Sequence, residues 1–151
     1  MNKTGILTAK LLTYSGLIPF LCLGMAVVIH VQGFDYRLAL YAYSAVIISF
    51  LSGIHWAAFL FFSENCSRNL FMYSNVIALL GWLSVFPLTP YLNFGIQIMS
   101  FVGLLILDWG LFRSNIIPKW FFQLRRNATI IVVLQLMFTA SFSRIINQGF
   151  W

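Results

Sequence analysis

Three ionisable side chains, His55, Asp108 and Arg125, fall in or against runs of apolar residues, where a charge is costly enough to need a purpose. A carboxylate beside a guanidinium makes a fixed pair, and an imidazole beside that carboxylate adds a group that titrates near neutrality. Together such groups can hold a ligand, relay a proton or lock a helix bundle. Other chemistries lack their parts. There is no Gly-rich phosphate loop, no His-Glu-x-x-His, no Gly-x-Ser-x-Gly, and there are three acidic residues in the whole chain to act as bases or metal ligands. Cys22 and Cys66 neither build a disulfide framework nor share a metal-ligand spacing with histidine, so both read as packing residues. We therefore expect no catalytic residue, no metal site and no enzyme; no cofactor can be named.

The elements that must position these groups follow from composition. Of 151 residues, 61% are apolar and 8% charged, too few polar groups to clothe a soluble domain of this length. The apolar runs are continuous and near the ~20 residues a membrane helix needs, whereas barrel strands alternate over about ten. The expected fold is all-α: one polytopic bundle over residues 1–151 with transmembrane helices at roughly 8–31, 36–62, 69–88, 91–113 and 125–147. Gly33 and Asp35, the Ser63–Ser67 stretch, and Pro87 with Pro90 break the first four apart. A longer connection, Ser114 to Leu124, carries Pro118 and Trp120.

With five crossings, Lys3, Lys10, Arg68, Arg113, Lys119, Arg125 and Arg126 share one side, leaving Arg37 and Arg144 for the other. The positive-inside rule then puts the N-terminus in the cytoplasm and the C-terminus outside. Membrane topology thereby accounts for the net charge of +6, and nucleic acid is not an expected partner. Lys3 and Lys10 ahead of an apolar run imitate a signal peptide, but the run continues to Val31 without a small-x-small cleavage site, so it reads as a retained helix. The absence of an Arg-rich, Ser-rich amphipathic leader favours a bacterial inner membrane over an organelle.

In that topology His55 and Asp108 lie seven and five residues before the cytoplasmic ends of their helices, roughly 8–10 Å deep at 1.5 Å per residue. Arg125 begins the fifth helix at the same face and can turn its guanidinium inward. The second helix carries two further faces. Ala45, Ser49, Gly53 and Ala57 recur every fourth residue, the spacing that lets a neighbouring backbone approach closely. Ser52 and His55 lie about 60° apart on another side, so the helix belongs at the centre of the bundle. Gln97 shares a face with Asp108; Arg125, Thr129, Thr139 and Ser143 share an arc. Asn75, Gln97 and Gln135 also fit simple interhelical glue. His55 can equally be a neutral imidazole bonded to Ser52 or a neighbouring helix, and His30, at the outer end of the first helix, is badly placed to join it around a haem iron. Trp56, Trp82, Trp109 and Trp120 either line a pocket for a planar ligand or anchor helix ends at the interface.

The run from Tyr43 to Trp56, with its Ile-Ser-Phe-Leu-Ser-Gly-Ile-His-Trp core, resembles the signature helix of the membrane family called domain of unknown function 3429, which includes transmembrane protein 69. The family pattern is close to Leu-Ser-Phe-Leu-Gly-Gly-Ile-His-Trp-Gly, so Ser52 and Ala57 stand here for two of its glycines. The likeness continues through Asp108, Pro118-Lys119-Trp120, Leu124-Arg125 and Thr129. It implies a small multi-helix membrane protein of unestablished activity, and it singles out His55, Trp56, Asp108, Trp120 and Arg125.

Three functions fit these residues: a non-enzymatic bundle that binds a small hydrophobic or amphipathic molecule near His55, Asp108 and Arg125; a proton-coupled small-solute transporter; or an accessory or assembly subunit whose small-residue stripe faces a membrane-protein partner or a second copy. The topology is open to a direct check. A reporter active only outside the cytoplasm should score when fused to the C-terminus and stay silent when fused in the 63–68 loop.

Overall fold

The structure, a computed structural model, describes residues 3–66 and 69–147, with the side chains of residues 65 and 143–147 outside the description. Arg68 and the side chains of Ser143 and Arg144 therefore lie outside the described residues. Six α-helices form five segments: α1 (Lys3–Ser15) and α2 (Leu17–Val28) divide the first, followed by α3 (Tyr36–Phe62), α4 (Leu70–Leu83), α5 (Pro90–Arg113) and α6 (Lys119–Asn147). The chain is all-helical, and the 3–28, 36–62 and 90–113 segments are long and apolar enough to cross a membrane.

The break between α1 and α2 has a covalent cause. Pro19 has no N–H to give to the carbonyl four residues back, so the helix is interrupted there. The Tyr43 hydroxyl of α3 donates to the Gly16 carbonyl at 2.8 Å, supplying a donor at the break. The end of α2 is set by the backbone: His30 takes a left-handed φ of 55°. Its N–H and that of Val31 reach back to the Val27 and Ala26 carbonyls, closing a Schellman turn. Asn115, at φ 56°, ends α5 by the same device, with Asn115 and Ile116 bonding to Phe112 and Leu111. Asp35 caps α3 by accepting from the Leu38 N–H at 2.9 Å, and Asn69 caps α4 through Met72.

Four boundaries differ from the sequence expectation, among them the end of the first segment, which falls at Val28 rather than 31 because the left-handed turn at His30 stops the helix. The first segment is helical from Lys3 despite Gly5, since no proline interrupts the Lys3–Thr8 stretch. The third is much shorter than 69–88: α4 ends at Leu83, where Ser84, Val85 and Phe86 bond to carbonyls three or four residues back and tighten into turns ahead of Pro87. Its 14 residues rise about 21 Å, less than the ~30 Å of hydrocarbon. The last helix starts at Lys119 rather than 125, since Phe121 and Phe122 already bond to the Pro118 carbonyl. Arg125 is thus in its second turn.

Helix α3 packs against α2, α4 and α5, while α6 closes the bundle against α2 and α5. Polar side chains share the interior with an apolar core, while large apolar side chains cover the surface. Ser44, Ser52, His55, Ser74, Ser84, Asn93, Gln97, Asp108 and Thr139 are buried, whereas Leu12, Ile18, Val46, Phe50, Leu60, Phe61 and Leu134 are exposed. Water would penalise that surface; lipid does not.

The small-residue stripe does not make the close contact expected of it. Ala45 is buried, but Ser49, Gly53 and Ala57 face outward, and a Cβ on Gly53 would meet nothing within 4 Å. The close approaches use other glycines. A Cβ on Gly81 would stand 2.9 Å from Ile48 Cγ2, and one on Gly24 would run into Gln135. The reason is that α4 and α5 meet the α3 face bearing Ser44, Ile48, Ser52 and His55, which turns the Gly53 side outward. Gly81→Val should therefore lower stability by about 1–3 kcal/mol through overpacking, while Gly53→Ala should be neutral or slightly stabilising. Thermal unfolding of the two variants in the same detergent compares them.

Candidate functional site

His55 lies seven residues before the end of α3, Asp108 five before the end of α5, and Arg125 six after the start of α6. Because α3 and α5 both run toward the end at which α6 begins, the three arrive at one depth. Their side chains converge. The Arg125 Nε donates to Asp108 Oδ2 at 3.0 Å, and His55 Nε2 stands 3.1 Å from Asp108 Oδ1. All three are buried: His55 is 0% exposed, Asp108 1% and Arg125 7%.

The hydrogen bond on the other side of the imidazole constrains the protons. His55 Nδ1 lies 3.0 Å from the Leu51 carbonyl. A carbonyl can only accept, so Nδ1 carries hydrogen. That leaves Nε2 facing a carboxylate oxygen at ion-pair distance, although the direction of approach is not that of an aligned hydrogen bond. Two acceptors repel at this range, so the approach is attractive only with a proton on one of the two atoms.

Two buried groups beside the triad keep spare hydrogen-bonding capacity. Arg125 Nη2 and Ser52 Oγ have no partner among the described residues. Ser52 therefore does not bond to His55; the Leu51 carbonyl takes the place expected for it.

Trp56 and Trp120 do not join the triad. One residue after His55 on a helix is 100° around it, so the Trp56 indole faces outward, packed at a tilt against Phe71 with its Nε1 donating to Asn75 Oδ1 at 3.3 Å. Trp120 is five residues before Arg125, about 140° away around α6, and packs edge-on against Phe121. Gln97 is shared structural glue: its Nε2 donates to the Tyr41 carbonyl of α3 and to Ser84 after α4, each at 3.1 Å. Gln135 bonds to Thr139 within α6. Asn75 is exposed and serves Trp56.

Beside the triad runs a groove of about 310 Å³ between α1–α2, α3, α5 and α6, with Arg125 on its wall. Its other walls are mainly Leu17, Phe20, Ile47, Leu51, Ile54 and Phe101. Sequence pattern gives no warning of these apolar residues, because every helix of a membrane bundle is apolar on several faces; Arg125 is the single marker. A second cavity, of about 340 Å³ beside Leu70, Trp109 and Arg113, includes none of the triad. At its edge burial pushes the Cys66 thiol up from its ordinary value, which leaves it less nucleophilic at neutral pH. Cys22 and Cys66 are both free thiols. Among the described residues no group of three His, Cys, Asp or Glu side chains is arranged to hold a metal.

Residues 6–141 match the family described as a protein of unknown function, DUF3429, and the chain belongs to that family. No curated protein and no solved structure matches it.

Removing one member of a buried ion pair strands the other. Asp108→Asn should cost about 3–5 kcal/mol, and Asp108→Asn combined with Arg125→Gln should cost less than the sum of the single changes. A double-mutant cycle on unfolding in detergent measures that coupling.

Proposed function

We propose that this multi-pass protein resides in a bacterial inner membrane with its N-terminus in the cytoplasm, and acts without catalysis by holding a small hydrophobic or amphipathic molecule. The molecule lies in the groove beside His55, Asp108 and Arg125. The membrane setting is supported by the three apolar helices and by the outward-facing Leu, Phe and Val side chains. The orientation is supported by the placement of lysine and arginine.

One observation carries the binding role: a groove with a mainly apolar lining includes Arg125, whose buried guanidinium has hydrogen-bonding capacity to spare. Ligand sites have this composition, an apolar wall with a few polar groups that set orientation. A structural ion pair needs only its partner. It does not need a groove alongside, nor a nitrogen left unsatisfied at a cost of about 1–3 kcal/mol.

Native mass spectrometry of gently extracted protein should show a bound small molecule. The adduct should disappear in Thr13→Trp, which fills the groove from α1, a helix with no buried residue of its own and so tolerant of the change. A wild-type spectrum free of adducts, with no binding of lipid, quinone or porphyrin-like compounds on addition, refutes this reading.

A further inference from the structure

We propose that the groove takes a single-chain anionic amphiphile, its carboxylate or phosphate head on the free end of Arg125 and its hydrocarbon chain between α1–α2, α3 and α6. This rests on reading the groove as a ligand site and narrows that site to one charge class.

The head is assigned by Arg125. The side chain commits its Nε to Asp108 and leaves Nη2 buried without a partner among the described residues. The outer edge of a guanidinium is a planar fork that matches two oxygens of a carboxylate or phosphate. Charge points the same way. The one carboxylate on the guanidinium, Asp108, is shared with His55, and the groove lining contains no acidic side chain, so an anion there meets a donor and no repulsion. The chain does not supply one. Of its three acidic residues, Asp35 caps the far end of α3 and Glu64 is exposed in the turn at Ser63–Asn65. A zwitterionic or cationic head would find no carboxylate in the groove lining.

The tail is assigned by the walls. Beyond Arg125 the polar side chains of the lining are Thr13 and Thr129, and the Thr13 hydroxyl is already given to the Ala9 carbonyl. The groove follows α6 from Phe121 past Arg125 to Val132 and α3 from Ile54 to Ile47, and the stretches from Arg125 to Val132 and from Ile54 to Ile47 are each about 10 Å at 1.5 Å per residue. Its longer arm on α6 leads away from the Lys119 end. A volume of about 310 Å³ is at the small end of ligand cavities, suited to one chain rather than two.

The test uses the full chain in a neutral detergent, following the ligand-dependent shift of thermal unfolding with palmitate, hexadecyl phosphate and hexadecanol. Both anions should stabilise the protein, and hexadecanol should bind at least about tenfold more weakly, the equivalent of one lost charge-assisted hydrogen bond. The stronger of the two anions identifies the head. Thr13→Trp should abolish all three responses. In the paired variant Asp108→Asn with Arg125→Gln, the preference for anions should vanish while any response to hexadecanol remains. If the alcohol matches the anions in wild type, the charge inference is overturned and the groove reading survives. If none of the three binds, the amphiphile proposal falls, and the groove reading is then decided by the native mass spectrum. A preference for anions that persists in the paired variant removes the head from Arg125. The wild-type comparison of acid with alcohol decides the matter even where that variant does not fold.

Discussion

The fold turns on one carboxylate. Asp108 stands between an imidazole from α3 and a guanidinium from α6, and it is 1% exposed. In an apolar surrounding each of these groups is too costly to leave alone, so the three helices that carry them are tied at one depth and in one rotational setting. A displacement of α5 by one residue would turn Asp108 by 100° and strand both partners. The remaining buried polar groups work around this fixed point: Gln97 spans α3 and the end of α4 three turns away, and Ser44, Ser74 and Ser100 return their hydroxyls to their own helices.

Around that polar interior the packing is selective about which small residues are used. Gly81 lets α4 lie on Ile48, and Gly24 lets α2 meet α6 at Gln135 and Thr139. Pro19 interrupts the first segment, and α1 beyond the break buries none of its residues. The loosely attached α1 is also one wall of the groove at Arg125. The helix with least packing to lose is thus the one that borders the proposed ligand.

Much of this arrangement is legible before any coordinates. The bounds of α3 and α5 follow from apolar length and from the punctuation of Asp35, Pro90 and Ser114. His55, Asp108 and Arg125 stand out because an ionisable residue in an apolar run must find a partner, and matching their depths needs only the rise per residue. Trp56 and Trp120 mislead for a simple reason: adjacency in sequence to His55 or Arg125 is divergence on a helix. The stripe Ala45, Ser49, Gly53, Ala57 misleads for another. Small residues permit close approach but do not say from which side a neighbour comes, and the neighbours choose the face with Ser44, Ile48 and His55.

What the amino-acid sequence determined by itself is the helical membrane class, most helix limits and the identity of three ionisable groups, since burial energy per residue and the cost of unpaired charge are local properties. What only the tertiary structure decided is which atoms face one another. That His55 gives its Nδ1 hydrogen to Leu51 and turns Nε2 to Asp108, that Arg125 keeps Nη2 in reserve, and that a groove forms beside it, depend on the relative rotation and separation of helices. Those are set by packing among residues far apart in the chain, and no local periodicity encodes them.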